Sequence, residues 1–324
     1  MVMAAPLLAQ GVTPGAPKTP TSPQKRKQYK INVNVNLVVL HATVVNKKGH
    51  RVNNLTEKDF RVLENGVPQK ISVFSHADIP VTMGIVIDDS GSMRDKRPEV
   101  NAAALTFVKT SNPDDQVFVV NFNDEYYLDT PGNFATNMEE LRAALSKIDS
   151  RGGTALYDAV YASLDHLKLG NRDKKALLVI TDGEDNASRY SFAQLVQHAQ
   201  QSNAVIYCIG LLGEERPGGL FKIHGGGDKR AKKVLQELAE VTGGKAYFPK
   251  SLDQVTPICE KIARDIREQY TIGYYPTDQK KDGTFRRVQI EFTNSYDRKH
   301  YRIRTRPGYY APKAGGSESV ASNQ

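Results

Sequence analysis

Between residues 80 and 268 the chain alternates short apolar runs with longer amphipathic stretches, and few folds accept that order. The runs at 81–88, 116–122, 176–181, 204–210 and 245–248 are rich in β-branched and aromatic side chains, as buried strands are. A further strand is expected at 126–129. Helical periodicity occupies 97–110, 136–147, 155–168, 191–201, 231–241 and 252–269. Pro98 suits a first helical turn, Ser191 is a fitting N-cap, and Gly243 follows its helix as a stop. Strand and helix in alternation give the α/β class: a doubly wound, mostly parallel sheet covered on both faces. Residues 212–230 are expected to form a mobile, Gly-rich charged loop.

Both flanks change to β character. Ile31, Val33, Val35 and Leu37 alternate with Asn32, Asn34 and Asn36, and the apolar run continues to Val45 before a turn at 46–49. Phe60-Arg61-Val62-Leu63 leads into Glu64-Asn65-Gly66, whose Asn-Gly pair signals a hairpin, with a return strand over 69–74. Beyond Gln269, strands are expected at 270–275, 286–292 and 301–306, with a turn at Asp282-Gly283 and a link over 294–298. The flanks are expected to pack as one small β module with the α/β domain inserted between them. The expected divisions are 1–28 (leader remnant or linker), 29–79, 80–268, 269–311 and a Gly/Ser-rich tail at 312–324. Arg302, Arg304 and Arg306 share one strand face, read as solvated, and the pairs Tyr126-Tyr127 and Tyr274-Tyr275 read as strand packing.

A length of 324 residues suits one large domain and a smaller one. The net charge of +8 is spread over short clusters, Lys25-Arg26-Lys27 and Lys174-Lys175 among them, and no nucleic-acid motif accompanies it. Nucleic acid is therefore not an expected partner. Residues 1–10 resemble the back end of a secretory leader without its basic region, so an exported, periplasmic or extracellular protein is expected. No other segment approaches the ~20 apolar residues that span a bilayer. Cys208 and Cys259 are far apart in sequence, and whether they pair is open.

The chemistry gathers at the ends of apolar runs. Asp88, Ser90 and Ser92 follow the first run at spacing two, Thr154 follows Gly152-Gly153, and Asp182 ends the third. Strand ends are where open α/β sheets bind ligands. Two carboxylates and three hydroxyls are hard oxygen donors, suited to Mg²⁺, with Mn²⁺ or Ca²⁺ as alternatives, rather than to Zn²⁺. Hydroxyls leave such an ion less neutralised than carboxylates would, so it keeps its attraction for a further carboxylate. Asp89 is not counted, and Glu184 and Asp185 read as solvated loop. The seven histidines show no ligand spacing and read as surface or structural residues.

Asp88-Asp89-Ser90-Gly91-Ser92-Met93, Gly152-Gly153-Thr154-Ala155-Leu156 and Ile180-Thr181-Asp182-Gly183-Glu184 together resemble the three-part metal-ion-dependent adhesion site of von Willebrand factor type A domains. The flanks resemble those of a bacterial, acidobacterial-type subfamily of secreted proteins related to that family, in 60–66 with Gln69 and Phe74, in 270–275, and in Arg306-Pro307-Gly308-Tyr309-Tyr310. The resemblance implies that Ser90, Ser92 and Thr154 ligate the ion directly, and that Asp88 and Asp182 act directly or through water. It implies a non-catalytic adhesion module with one coordination position left for the Asp or Glu of a partner protein. Two other readings stay open: an envelope structural protein with a fold-stabilising ion, and a metal-dependent phosphatase or hydrolase using Asp88. Against the latter, Asp88 opens Asp-Asp-Ser rather than Asp-x-Asp, and neither a phosphate-binding Gly-x-x-x-x-Gly-Lys loop nor a Gly-x-Ser-x-Gly elbow is present.

Overall fold

A computed structural model describes residues 37–212, 214–216, 220–222 and 225–313. The expected alternation over 31–36, the leader and nearly all of the tail lie outside those residues. In chain order the strands β1 (Val38–Asn46), β2 (Phe60–Glu64), β3 (Val67–Gln69) and β4 (Ile71–Ser75) come first. The α/β portion follows as β5 (Val81–Asp88), α1 (Arg97–Thr110), β6 (Gln116–Phe122), β7 (Tyr126–Leu128), α2 (Met138–Leu145), α3 (Leu156–His166), β8 (Lys174–Thr181) and α4 (Phe192–Gln201). It continues through β9 (Ala204–Gly210), β10 (Glu214–Arg216), β11 (Leu220–Lys222), α5 (Gly225–Glu240), β12 (Ala246–Tyr247) and α6 (Val255–Arg267). The chain closes with β13 (Tyr270–Tyr274), β14 (Phe285–Phe292), α7 (Ser295–His300), β15 (Tyr301–Arg304) and β16 (Gly308–Tyr310).

The central sheet has the order β12-β9-β8-β5-β6-β7, parallel except for the edge strand β7. Every residue of β5 and β9 is buried, as parallel strands covered on both faces require. Helices α1, α2 and α6 cover one face and α3, α4 and α5 the other. This is the doubly wound α/β sheet that the alternation implies. Cys208 packs into the core of the second face and Cys259 into that of the first, so the sheet separates two free, buried thiols.

The flanking strands form two four-stranded sheets, β15-β1-β13-β4 and β16-β14-β2-β3, each drawing on both ends of the chain. Asn65 (φ 48°) and Gly66 (φ 82°) make the β2–β3 turn, both in the left-handed region a two-residue hairpin demands. The return strand expected over 69–74 is instead split. β3 ends at Gln69, and Ile71–Ser75 pairs with β13 in the other sheet, so the chain changes sheets at Lys70. The expected loop over 212–230 also differs: β10 and β11 pair, and α5 begins at Gly225. A first turn makes few intrahelical bonds, so the triple glycine weakens it less than it would a helix interior. The link over 294–298 is largely helical, with Asn294 accepting from Asp297 N at 2.8 Å as its cap.

Two arginines expected to be solvated are bound instead. Arg304 donates to Asp265 at 3.2 Å and Arg306 to Asn203 Oδ1 at 2.9 Å, while Arg302 is exposed. Arg51, in the connection between β1 and β2, also reaches Asp265, at 2.9 Å, so a buried carboxylate of α6 meets two guanidinium groups from the flanking segments. Arg267 pairs with Asp78, and Lys174 donates to the Ile266 carbonyl, one of the last carbonyls of α6, which lack helical partners. The C-terminal end of α6 is thus held by charged groups from the N- and C-terminal flanks, Arg51, Asp78 and Arg304, and by Lys174 of the central sheet.

Candidate metal centre

Winding reverses beside β5. The chain leaves β5 for α1 on one face and leaves β8 for α4 on the other, and the crevice between the two departing loops is where such sheets bind ligands. Asp88 is the last residue of β5 and is wholly buried. Its Oδ1 accepts from Ser90 N at 2.8 Å and its Oδ2 from Thr181 Oγ1 at 2.5 Å. Ser90 Oγ and Ser92 Oγ lie 3.2 Å apart, and Ser92 Oγ donates to Asp182 Oδ1 at 2.8 Å. Asp88, Ser90, Ser92 and Asp182 are thus joined in one hydrogen-bonded chain. Ser92 is exposed and the other three buried, which opens the cluster toward solvent on one side.

Thr154 comes from the loop before α3. Its backbone N donates to Asn186 Oδ1 at 2.8 Å, and its carbonyl accepts from Asn186 N at 3.0 Å. Its hydroxyl faces Gly183, where an added methyl would stand 3.9 Å from Oγ1. Gly152 adopts φ 69°, and a side chain there would overlap the Asp124 carboxylate, whose Oδ1 accepts from Gly153 N at 2.6 Å.

Several supporting residues are not evident from sequence. Asp89 is buried: its carboxylate accepts from Asp149 N at 2.6 Å and Ser150 Oγ at 2.9 Å, and lies 3.5 Å from the buried Arg97 guanidinium. Asp185 is not simply solvated loop, since its Oδ1 accepts from Tyr157 N at 3.1 Å. Ala155 stands at the N-cap of α3 and offers no side-chain acceptor, so Asp185 and Ser188 cap the helix from another loop. Lys96 is the remaining addition, its ammonium 2.5 Å from Asp182 Oδ2. Only the Asp-Asp-Ser context of Asp89 signals any such role locally.

Two carboxylates and one ammonium meet at the cluster. Burial, and after it the charge of Asp182, push the Asp88 carboxyl up to about 6 against the hydrogen bonds from Thr181 and Ser90. Lys96 already places one positive charge on the cluster. Among the described residues no three His, Cys, Asp or Glu side chains gather as a metal group. The donors here are two carboxylates and three hydroxyls, a set whose chemistry fits a hard divalent ion.

A family model for the von Willebrand factor type A domain matches residues 83–261, more than half of the chain. An uncharacterized protein of Borreliella burgdorferi is 26% identical over 235 residues, covering 68% of this chain and 64% of that protein. Inter-alpha-trypsin inhibitor heavy chain H4 of Sus scrofa is 25% identical over 144 residues, covering 41% of this chain and 16% of that one. The chain therefore spans less than two thirds of the length of these relatives. Among solved structures, a von Willebrand factor type A protein from Catenulispora acidiphila aligns over 87% of this chain and 75% of its own, with 14% identity and a TM-score of 0.48.

Proposed function

This chain belongs to the von Willebrand factor type A domain family, and on that footing we propose that it is a non-catalytic, divalent-metal-dependent protein-binding module. Ser90, Ser92 and Thr154 would hold Mg²⁺ through hydroxyl oxygens, with Asp88 and Asp182 adding charge directly or through water. The ion would supply a positive centre for an Asp or Glu carboxylate of a partner protein.

The observation that carries this reading is the hydrogen-bonded chain Asp88–Ser90–Ser92–Asp182 at the ends of β5 and β8, open at Ser92. Asp88 fits this reading. Ser90 N and Thr181 Oγ1 each hold one of its oxygens, so its carboxylate is fixed in orientation beside the site and keeps lone pairs for an ion or a bound water. No helix among the described residues is long and apolar enough to cross a membrane. The leader-like pattern of residues 1–10 and the likeness of the flanks to a secreted subfamily support the reading that the protein is exported.

Titration of Mg²⁺ and Mn²⁺ by calorimetry tests the site. The intact protein should bind, and folded Thr154→Ala and Asp182→Ala variants should not. Equal binding in all three, or none in the intact protein, would sink the metal reading.

A further inference from the structure

Beside the candidate metal centre the surface is cut by two adjoining depressions of about 660 and 400 Å³, which share Tyr126, Asp158 and Tyr190. The cut begins against the Thr154 loop, because Asp124 and Ala187, which line its near end, both pack on Gly153. It runs along α3 and past the end of that helix to Leu169.

Three features set this groove apart from ordinary surface. First, Tyr126, Tyr127 and Leu128 of the edge strand β7 are 48%, 45% and 42% exposed, an apolar edge of the kind that folds usually cover or charge. Among the described residues no strand pairs with the outer edge of β7. Second, Tyr190 and Tyr161 stack at 4.1 Å with 7° between their planes, and Tyr161 stacks on His198 at 3.8 Å, so the aromatic wall is held in place before any partner arrives. Third, the carboxylates Asp124, Glu125 and Asp158 line the groove against the single guanidinium of Arg189, on a chain whose net charge is +8, while Asp165 at the far end is already paired with Lys168 at 2.6 Å.

We infer that this groove binds an extended arginine- or lysine-bearing segment of a partner protein. Tyrosine faces attract guanidinium and ammonium groups, and carboxylates pair with the same groups through hydrogen bonds. The open edge of β7 can pair with an extended backbone. This goes beyond the metal reading and needs no ion. Taken together, the two sites would select a segment with an acidic residue at the metal and basic residues along the groove.

Fluorescence anisotropy with labelled hexa-arginine and hexa-glutamate peptides, in Mg²⁺ and in EDTA, tests the inference. Hexa-arginine should bind equally in both buffers, against the repulsion of a positively charged protein. Glu125→Lys, at an exposed position, and the Tyr126→Ala/Tyr190→Ala pair should each weaken it by about tenfold or more. Tyr296→Ala, which removes a 61% exposed tyrosine elsewhere, should leave it unchanged. Absence of hexa-arginine binding, equal affinity in the groove variants, or loss in EDTA would each overturn the groove. Hexa-glutamate binding in Mg²⁺ alone reports on the metal centre, so the two readings fail separately.

Discussion

The Lys96 ammonium lies 2.5 Å from Asp182 Oδ2, on a carboxylate whose other oxygen accepts from Ser92. Asp182 is thereby satisfied on both oxygens by groups of the chain itself. A divalent ion drawing on Asp182 competes with that ammonium. Lys96→Ala should tighten Mg²⁺ binding by about tenfold, roughly 1.4 kcal/mol, a modest value for one partly screened charge at contact. Calorimetry at fixed ionic strength measures it. An affinity unchanged or lowered would mean that Lys96 supports the site rather than competing for it.

Asp124 and Asn186 hold the Thr154 loop by its backbone, through Gly153 N at 2.6 Å and Thr154 N at 2.8 Å. Both side chains are exposed, so their removal should leave overall stability nearly intact. Residues that orient metal ligands in this way are typically worth about 10–100-fold in affinity. Asp124→Ala and Asn186→Ala should therefore weaken Mg²⁺ binding within that range, with urea midpoints close to the parent. A large fall in stability with unchanged metal affinity would reverse the assignment.

Among the described residues Arg97 is the largest wholly buried side chain, and it lies directly behind the candidate site, 3.4 Å from the Asp88 carbonyl. It donates to Asn121 Oδ1 at 2.9 Å and to the Leu145 carbonyl at 3.2 Å, and it faces the buried Asp89. Arg97→Met would strand a buried carboxylate, which costs about 3–5 kcal/mol. Urea denaturation should show a loss of that size. Adding Asp89→Asn should recover part of it; a double variant no more stable than the single would detach Arg97 from Asp89.

What could be read from sequence follows from how local each signal is. The strands of the central sheet are continuous apolar runs, and Asp88 and Asp182 stand where those runs end, so periodicity alone locates them. Lys96, Asp124 and Asn186 act on residues 29 to 86 positions away, and nothing in their neighbours marks them. Tyr126 and Tyr127 have the composition of packed strand residues. They are exposed because β7 is the edge strand, which depends on strand order rather than on local pattern. The change of sheet at Lys70 is hidden for the same reason: Pro68 interrupts the pattern inside β3 rather than at the switch, and at Lys70 only the pairing partners differ.

Lys174 carries a pH dependence of stability. It begins β8, is 3% exposed, and donates to the Ile266 carbonyl at the end of α6. Burial lowers its ammonium to about 7, against smaller raising effects of Asp78 and Asp115. An unfolded lysine titrates near 10.5, so between about pH 7 and 10.5 the unfolded chain binds more protons than the folded one. The contribution of Lys174 to stability therefore rises with pH across that window and is least favourable below it, where a charged ammonium must stay buried. Lys174→Met removes this slope. Relative to the parent, the variant should fare best near pH 6 and lose that advantage steadily toward about pH 10, a swing of a few kcal/mol at most. Urea denaturation of both proteins across that range measures the difference. A gap independent of pH would mean that Lys174 keeps its proton in the folded state throughout.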